Sequence, residues 1–371
     1  MKTCEAINSQ EDFSAEIITT DFDRESASFC ERMGIHRPFD ITCLGVTDTS
    51  SPRSGRSWQE LIMLIKANFY LSKYLFLRRR EFDIVYFRDE SLFIAAIMSR
   101  FCLRKKFFFE IHSVLSRWYR QMMNVLSVRF AGGVLAISTG LKRYYEAHNS
   151  NILVSLCSAA EDSWFDYSKN KDTFRKELGL PLDAFLVGYI GVVGINPNND
   201  YYELDDILRS LAFLPKEIKY VVAGELNNNA DWLRKIASDL DVLDRIIILP
   251  WLERKDVPKY LQAFDINLIP KRKKDLVGDS PAKMFPALAS LRPIVAGHAE
   301  CIEEVLTDGL DAIIVEDNKP EGWAGAIVKI YENKELAHRI SSKAFETKHK
   351  YTWEKRGIAI SEFIRKTITT R

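Results

Sequence analysis

Short apolar runs rich in β-branched and aromatic residues alternate with longer stretches in which apolar residues recur every three or four positions. In the first half of the chain the short runs predict strands at 15–20, 39–46, 82–87, 106–112 and 132–138. The longer stretches predict helices at Met1–Ser9, Trp58–Arg80, Leu92–Leu103, Ser113–Phe130 and Thr139–Ala147. Strands and helices that alternate at this spacing favour a mainly parallel sheet covered on both faces.

The alternation restarts after the polar segment Glu161–Pro181, which we interpret as a linker. Further strands are predicted at 185–191, 218–224, 245–250, 266–270, 292–297 and 312–317. Helices are predicted at Leu204–Leu214, Asn229–Leu240, Lys255–Ala263, Pro281–Ser290, Ile302–Thr307 and Trp323–Asn333. The predicted fold class is therefore α/β, with two doubly wound domains, residues 1–165 and 166–351, facing each other across a cleft.

The first predicted element is a helix, whereas a doubly wound domain normally begins with a strand and a glycine-rich turn. No such strand precedes Met1 in this sequence. We therefore expect the N-terminal domain to lack its first strand, through a start upstream, a truncation or a rearrangement. The alternative is a plain N-terminal helix on an atypical fold.

Composition narrows the function classes. The 52 basic and 51 acidic residues nearly cancel, which argues against nucleic-acid binding carried by overall charge. The six cysteines form no Cys-x-x-Cys pair, so we expect reduced, mostly buried thiols and no metal site. No signal peptide is visible, and the apolar window Leu61–Leu77 is interrupted by two lysines and an asparagine, which argues against a membrane span. A cytoplasmic location is expected.

The stretch GDSPAKMFPALASLRPIVAG, residues 278–297, carries candidate chemistry. Ser280 is a good N-cap, and Pro281 suits the first position of a helix. Lys283 then falls in the first turn, where the helix dipole disfavours a cation unless an anion such as phosphate binds there. The run Lys271–Lys274 adds four cations after a predicted strand, where ligands of α/β proteins bind. The alternative is a surface lysine and a solvated charge run.

These residues carry a family resemblance. SPAKMF followed by ALASLRPIVAG resembles the SPxK motif region of family 4 retaining glycosyltransferases of the GT-B fold. YIGVVG, YVVAGE, IEEVLTDGLDAIIV and YTWEKRG resemble further segments of that family in its order. In the first half, FDIVYFRD, FEIHS and GVLAISTGLKRYY resemble its acceptor-domain elements. The resemblance implies an N-terminal acceptor domain completed by a C-terminal helix at 352–371, and a nucleotide-sugar domain at 166–351.

The resemblance also implies site residues. His112 and Asp279 would be catalytic, with Asp279 replacing a family carboxylate at an offset of one residue. The donor would bind residues around the first glycine turn and the SPxK motif, namely Gly191, Glu225, Ser280, Pro281, Ala282, Lys283 and Met284. Lys271 and Arg272 would add positive charge near the phosphates. Glu110 would either orient His112 or satisfy buried polar groups. No cofactor or metal is expected beyond the nucleotide-sugar donor.

The sequence departs from the family pattern at several positions. The two glutamates of the family motif correspond to Gly278 and Pro286, and an interior proline would remove a helix hydrogen bond at a cost of about 3 kcal/mol. The Arg and Lys that clamp the diphosphate are absent after the glycine turn, where Val192 and asparagines follow instead. These losses leave a second hypothesis open: a non-catalytic relative that acts as a scaffold in polysaccharide assembly. A third is another user of the fold, such as an epimerase or a phosphorylase.

The leading hypothesis is a retaining glycosyltransferase that acts on a glycan or lipid-linked acceptor in polysaccharide or glycolipid biosynthesis. The basic, aromatic stretch at residues 112–130 would contact an anionic membrane surface. Its alternative is an ordinary amphipathic helix with Met122, Met123, Val125 and Leu126 in the core. No nucleic-acid partner is expected.

Overall fold

The computed structural model describes the chain in segments. These are residues 1–19, 35, 39–46, 57–115, 117–156, 158–159, 161–193, 204–224, 230–271 and 280–369. They divide into two compact units. Unit 1 contains Met1–Cys157 and Trp353–Arg371, and unit 2 contains Ser158–Asp275 and Ser280–Thr352. The function assigned to each predicted domain stays a prediction, as does the missing first strand.

The six strands described in unit 1 form parallel pairs in two sheets. β1 (Ile17–Thr19) pairs with β2 (Ile41–Cys43) in a two-stranded sheet. A second sheet has the order β3-β4-β5-β6 and is formed by Ile84–Phe87, Lys106–Ile111, Gly133–Ala136 and Ile152–Val154. The sequence analysis missed β6, because a run of three strand residues is too short to show a period.

The described helices of unit 1 before the crossover are α1 to α5. They span Lys2–Asn8, Ser57–Leu77, Phe93–Phe101, Trp118–Phe130 and Thr139–Tyr145. β4 shows how the sheet is covered, since its side chains alternate between two cores. Phe107 and Phe109 pack into one cluster with Leu71 of α2, whereas Phe108 packs into another. Both faces of the sheet are therefore buried.

The strands described in unit 2 form one six-stranded parallel sheet. Its strands β7 to β12 span Phe185–Ile190, Ile218–Ala223, Ile246–Leu249, Ile266–Ile269, Ile294–Gly297 and Ile313–Val315. The order is β12-β11-β10-β7-β8-β9, the doubly wound arrangement of a dinucleotide-binding fold. Chain direction across the sheet reverses between β7 and β10, so the crevice beyond their carboxyl ends is the expected ligand position.

The helices described in unit 2 are α6 to α13. They span Lys171–Leu178, Leu204–Ser210, Ala230–Asp239, Val257–Ala263, Met284–Leu288, Glu300–Glu303, Pro320–Glu332 and Lys334–Thr347. Single 3-10 turns occur at Glu90–Leu92, Asp162–Trp164, Leu211–Phe213, Leu243–Arg245 and Lys348–Lys350.

α6 corrects the linker prediction. Within the segment interpreted as a linker, Asn170 caps α6 by accepting from the Thr173 N–H at 2.9 Å, and Gly179 ends it with φ 66°. Arg175 is 1% exposed and pairs with Asp265 at 2.5 Å. The charge of Arg175 is thus buried in a pair with a residue of unit 2, and the segment belongs to that unit.

The last helix, α14 (Trp353–Thr369), packs in unit 1. Ile360 and Ile364 join Phe108 in the second core of that unit. Gly357 permits close contact with α1, since a Cβ there would lie 2.5 Å from the Ala6 carbonyl oxygen. No described helix has the length and hydropathy of a membrane span. Of the described cysteines, Cys43 and Cys102 are exposed, so the expectation of mostly buried thiols is wrong for these two.

Candidate functional site

The carboxyl end of β7 lies against that of β8 with unusually close backbone contact. The Gly191 N–H donates to the Ala223 carbonyl at 2.9 Å. Gly224 has φ 127°, and a Cβ there would lie 2.2 Å from the Gly191 carbonyl oxygen. Glycine is therefore required at residue 224 by both backbone conformation and space. The glycine turn predicted as a donor site is thus a tight backbone junction at the end of β7.

Lys283 reaches the same strand end. Its Nζ donates to the Tyr189 hydroxyl at 3.1 Å and lies 4.4 Å from the centre of the Tyr189 ring. The Tyr189 hydroxyl donates to the Val192 carbonyl at 2.8 Å. A Cβ on Gly191 would lie 3.3 Å from Nζ. The structure therefore brings together two of the predicted donor residues, Gly191 and Lys283.

The helix that follows begins later than predicted. α10 begins at Met284, and its N-cap is Lys283 rather than Ser280. Ser280 is buried, and its hydroxyl has no hydrogen-bond partner in the described part of the chain. The prediction of Ser280 as N-cap and Pro281 as first helical residue is therefore wrong. The chain between them and α10 forms a turn, closed by the Met284 N–H on the Pro281 carbonyl at 3.0 Å.

The late start of α10 removes the predicted cost of Pro286. Pro286 is the third residue of α10, and the first four N–H groups of a helix have no partner within it. The missing N–H therefore breaks no ladder hydrogen bond, so the expected loss of about 3 kcal/mol does not arise. Pro286 instead helps line a cavity of about 70 Å³ between β7, β10 and α9, together with Lys283, Gly188, Ile190 and Asn267.

The remaining predicted donor residues differ in their settings. Pro281 is buried and Ala282 is exposed. Met284 is fully buried and its N–H is already bonded, so contact of Met284 with a donor is not supported. Lys271 is half-buried and lies two residues after the end of β10. Three further predicted residues, Glu225, Arg272 and Asp279, lie outside the described residues.

A second cluster lies in unit 1 at the end of β4. His112 Nε2 lies 2.7 Å from Glu110 Oε1 and 3.1 Å from Arg88 Nη2. Arg356 of α14 pairs with the other Glu110 oxygen at 2.7 Å, and the Tyr86 hydroxyl donates to that oxygen as well. His112 Nε2 therefore lies between the Glu110 carboxylate and the Arg88 guanidinium, whose Nε is 3.4 Å from it.

Strand alternation explains why these groups meet. Positions 108, 110 and 112 fall on the same side of β4, the side that α14 covers. Glu110 is 1% exposed. Burial raises its pKa, but the hydrogen bond with His112 and the charges of Arg356 and Arg88 lower the pKa to about 2. Glu110 therefore stays ionised, and both roles considered for it apply: it orients His112 and it balances a buried arginine.

Three residues of these clusters were missed by sequence reasoning. Arg88 follows β3 and Tyr189 lies within β7, both at strand ends, where a closer reading of side-chain alternation would have marked them. Arg356 carries no local signal, because its partner Glu110 is 246 residues away in sequence.

The stretch at 112–130 becomes α4 only from Trp118 onward. Trp118 is 76% exposed and Met122 is 48% exposed. The alternative interpretation of this stretch as an ordinary amphipathic helix placed Met122 in the core, and for Met122 that placement is wrong. Arg120 pairs with Glu90. Contact of this stretch with a membrane stays a prediction. In the described residues, no three His, Cys, Asp or Glu side chains are grouped as metal ligands.

Comparisons with known proteins bear on both units. Residues 170–347, a little under half of the chain, match the family described as Glycosyl transferases group 1. A D-inositol 3-phosphate glycosyltransferase of Xylanimonas cellulosilytica is 23% identical over 193 residues, which cover 51% of this chain and 44% of that protein. The chain thus covers less than half the length of this relative.

Solved structures match over the whole chain. HepE of Anabaena in complex with UDP has a TM-score of 0.73 at 17% identity, covering 100% of this chain and 95% of that one. Sucrose-phosphate synthase of Thermosynechococcus elongatus has a TM-score of 0.77 at 13% identity, covering 100% and 92%. The chain has the GT-B fold. The predicted fold class is confirmed, and the group 1 match places the Gly191 and Lys283 junction in the second half of that GT-B fold.

Proposed function

We propose that this protein is a glycosyltransferase that binds a nucleotide diphosphate sugar on unit 2 and transfers the sugar, with retention, to a glycan or lipid-linked acceptor. Polysaccharide or glycolipid biosynthesis is the process that we infer for it. The observation that carries the proposal is the position of the Lys283 ammonium beside Gly191 at the end of β7, within the residues that match the glycosyltransferase family.

The chemistry requires stabilisation of a departing nucleoside diphosphate. Negative charge develops on the phosphate oxygens as the bond to the sugar breaks, and fixed positive groups lower the barrier. Lys283 is held by Tyr189 at a fixed place, so its charge is preorganised. Lys271 follows β10 on the other side of the switch point and adds a second cation. We propose that these lysines do the work that a divalent metal does in other transferases.

In unit 1, His112 is the proposed catalytic residue and Glu110 is its positioning residue. Glu110 holds Nε2 at 2.7 Å, which fixes the orientation of the ring. We propose that His112 hydrogen-bonds the sugar or the reacting centre during transfer.

The competing hypothesis is a non-catalytic scaffold of polysaccharide assembly. It rested partly on Pro286 as a disruption of the donor helix, and that support is gone because Pro286 lies in the first turn of α10. The matched relative is itself named a transferase. Val192 and the absent first strand remain as its basis.

Calorimetry on the full chain with UDP, GDP and ADP and their glucose, galactose and mannose derivatives tests the proposal. We expect saturable binding of one nucleoside diphosphate and of its sugar, and slow release of the free sugar when no acceptor is present. The anomeric configuration of a product, read by NMR, tests retention. Failure of the folded protein to bind any member of the panel would overturn the proposal in favour of the scaffold.

A further inference from the structure

The outward face of α2 in unit 1 is apolar and exposed. Its exposed large side chains are Ile62, Ile65, Phe69, Tyr70, Phe76 and Leu77. At 100° per residue these positions, with Lys66 and Lys73, fall on one face about 140° wide. Phe69 is 63% exposed and Leu77 is 65% exposed. We call this set of eight residues the α2 stripe.

The opposite face of α2 is already committed to the core of unit 1. Leu71 and Leu75 are buried in the cluster that covers the sheet. Asn68 is 3% exposed, and its amide donates to the Ser91 carbonyl at 2.7 Å and accepts from the Ala95 N–H at 3.1 Å. These bonds fix the rotation of the helix about its axis. The α2 stripe therefore cannot turn toward the core. A helix with large apolar residues on both faces is normally buried, so the exposure of this face requires an explanation.

The charged residues of α2 indicate what kind of partner would cover the α2 stripe. Between Ile62 and Arg80 the sequence contains no Asp or Glu, and it contains Lys66, Lys73 and Arg78–Arg80. Lys66 and Lys73 are exposed among the apolar residues of the α2 stripe, and Arg79 stacks on the Phe76 ring at 4.7 Å. Arg78 is paired with Glu16 and Glu81, so the cations of the α2 stripe itself are Lys66 and Lys73. An apolar and aromatic face that carries exposed lysines is complementary to an apolar layer beneath negative charges.

A second copy of the chain fits this face poorly. In a two-fold symmetric dimer the same patch meets itself, so Lys66 and Lys73 would meet lysines with no carboxylate between them. No described helix has the length and hydropathy of a membrane span. We propose that the α2 stripe lies in the plane of a membrane and binds an anionic phospholipid surface. This docking role is independent of the proposed transferase activity, and it concerns a different helix from residues 112–130.

Vesicle sedimentation tests the inference on the full chain. The probes are vesicles of phosphatidylcholine alone and of phosphatidylcholine mixed with phosphatidylglycerol. We expect binding to the mixed vesicles that weakens as salt is raised, and little binding to the neutral ones. The double variant Phe69→Ser, Phe76→Ser should bind about tenfold more weakly. A matched control, Phe213→Ser with Leu243→Ser, removes two side chains of similar exposure from unit 2 and should bind like the wild type.

A second variant separates charge from apolar contact. Lys66→Glu with Lys73→Glu keeps every apolar residue of the α2 stripe and should remove the preference for anionic vesicles. Circular dichroism and thermal melting confirm that each variant is folded. Equal binding of wild type and both α2 variants, or no binding of the wild type to the mixed vesicles, would overturn the inference. So would a dimer in sedimentation velocity that the Phe69→Ser, Phe76→Ser variant abolishes.

Discussion

Both units place positive charge at the carboxyl ends of parallel strands, but they hold it differently. In unit 1, Arg88 and Arg356 meet a carboxylate of the protein itself, because Glu110 is buried between them. In unit 2, Lys283 lies over the ring of Tyr189 and donates to its hydroxyl beside a glycine backbone. In the first arrangement the arginines meet a carboxylate, whereas in the second the ammonium has a hydroxyl and an aromatic ring among its contacts.

Under the proposed function, the first is a positioning cluster and the second is a binding cluster. A buried carboxylate that holds two arginines and a histidine fixes geometry, and removing it leaves charges uncompensated. An ammonium held by an aromatic ring keeps its capacity to attract a phosphate. Substitutions in unit 1 should therefore affect stability and turnover, and substitutions in unit 2 should affect donor affinity.

The largest effect is expected for Glu110→Gln, which leaves Arg356 buried without its ion pair. The free energy of unfolding at pH 7 should fall by about 3–5 kcal/mol, measured by urea denaturation. Burial raises the pKa of Glu110, but His112, Arg356 and Arg88 bring it from 4.5 to about 2 in the folded state. The wild type should therefore lose this stability as the pH falls from about 4.5 to 2, and the variant should not show that slope.

Glu81→Gln is the matched control for that substitution. Glu81 pairs with Arg78 at 2.6 Å, but both side chains are more than a third exposed. Its loss should leave the free energy of unfolding nearly unchanged, because solvent screens an exposed ion pair. Equal effects of the two substitutions would mean that the cluster around Glu110 is no more than a surface ion pair.

The next effect is expected for His112→Ala. Turnover should fall about a hundredfold, because a positioned hydrogen-bonding group is lost from the reaction, while donor affinity changes little. Steady-state kinetics and calorimetry with the donor separate the two quantities. His148→Ala, which removes an exposed histidine after α5, is the control. A wild-type rate in His112→Ala would make the histidine a structural residue.

A smaller effect is expected for Lys283→Ala in unit 2. Affinity for the nucleotide sugar should fall about tenfold or more, because one charge-assisted contact to phosphate is lost, and the protein should remain folded. Calorimetry measures the affinity. Lys259→Ala removes a lysine of α9 that pairs with Asp256 at 2.7 Å and should leave affinity unchanged. If both variants bind alike, Lys283 does not contact the donor.

The smallest effect is expected for Pro286→Ala. Because Pro286 lies in the first turn of α10, the change should lower the free energy of unfolding by less than about 1 kcal/mol, through the greater freedom of the unfolded chain. Pro258→Ala, in the first turn of α9, should act in the same direction. A gain of about 3 kcal/mol in Pro286→Ala would restore the interpretation of Pro286 as a helix-breaking residue.

Apolar periodicity predicted most of this fold. β7 and β8 were clear because both faces of a parallel sheet are buried, so their residues form continuous apolar runs. α6 was missed because its sequence is charged, and its place in the core depends on the pair Arg175–Asp265, whose members are far apart in sequence. Asn170 and Gly179 are residue types typical of helix caps, but the polar composition of the segment favoured a linker.

The candidate site was less predictable than the fold. Motif resemblance located Lys283 and His112, and the structure gives each a specific partner in Tyr189 and Glu110. It failed at the start of α10, because Ser280 and Pro281 fit a cap by type alone, whereas the chain there turns once more before the helix begins. A cap depends on backbone conformation, which residue type does not determine.

Arg356, which is translated late, bonds to parts of unit 1 that are translated much earlier. Besides Glu110, it donates to the Ser155 carbonyl at 2.6 Å and to the Leu156 carbonyl, just where the chain leaves unit 1. The ribosome releases α14 only after all of unit 2. Unit 1, which is translated first, therefore stays incomplete, with Glu110 lacking its partner Arg356, until unit 2 has been translated. Unit 1 is thus the first unit to be translated and the last to be completed.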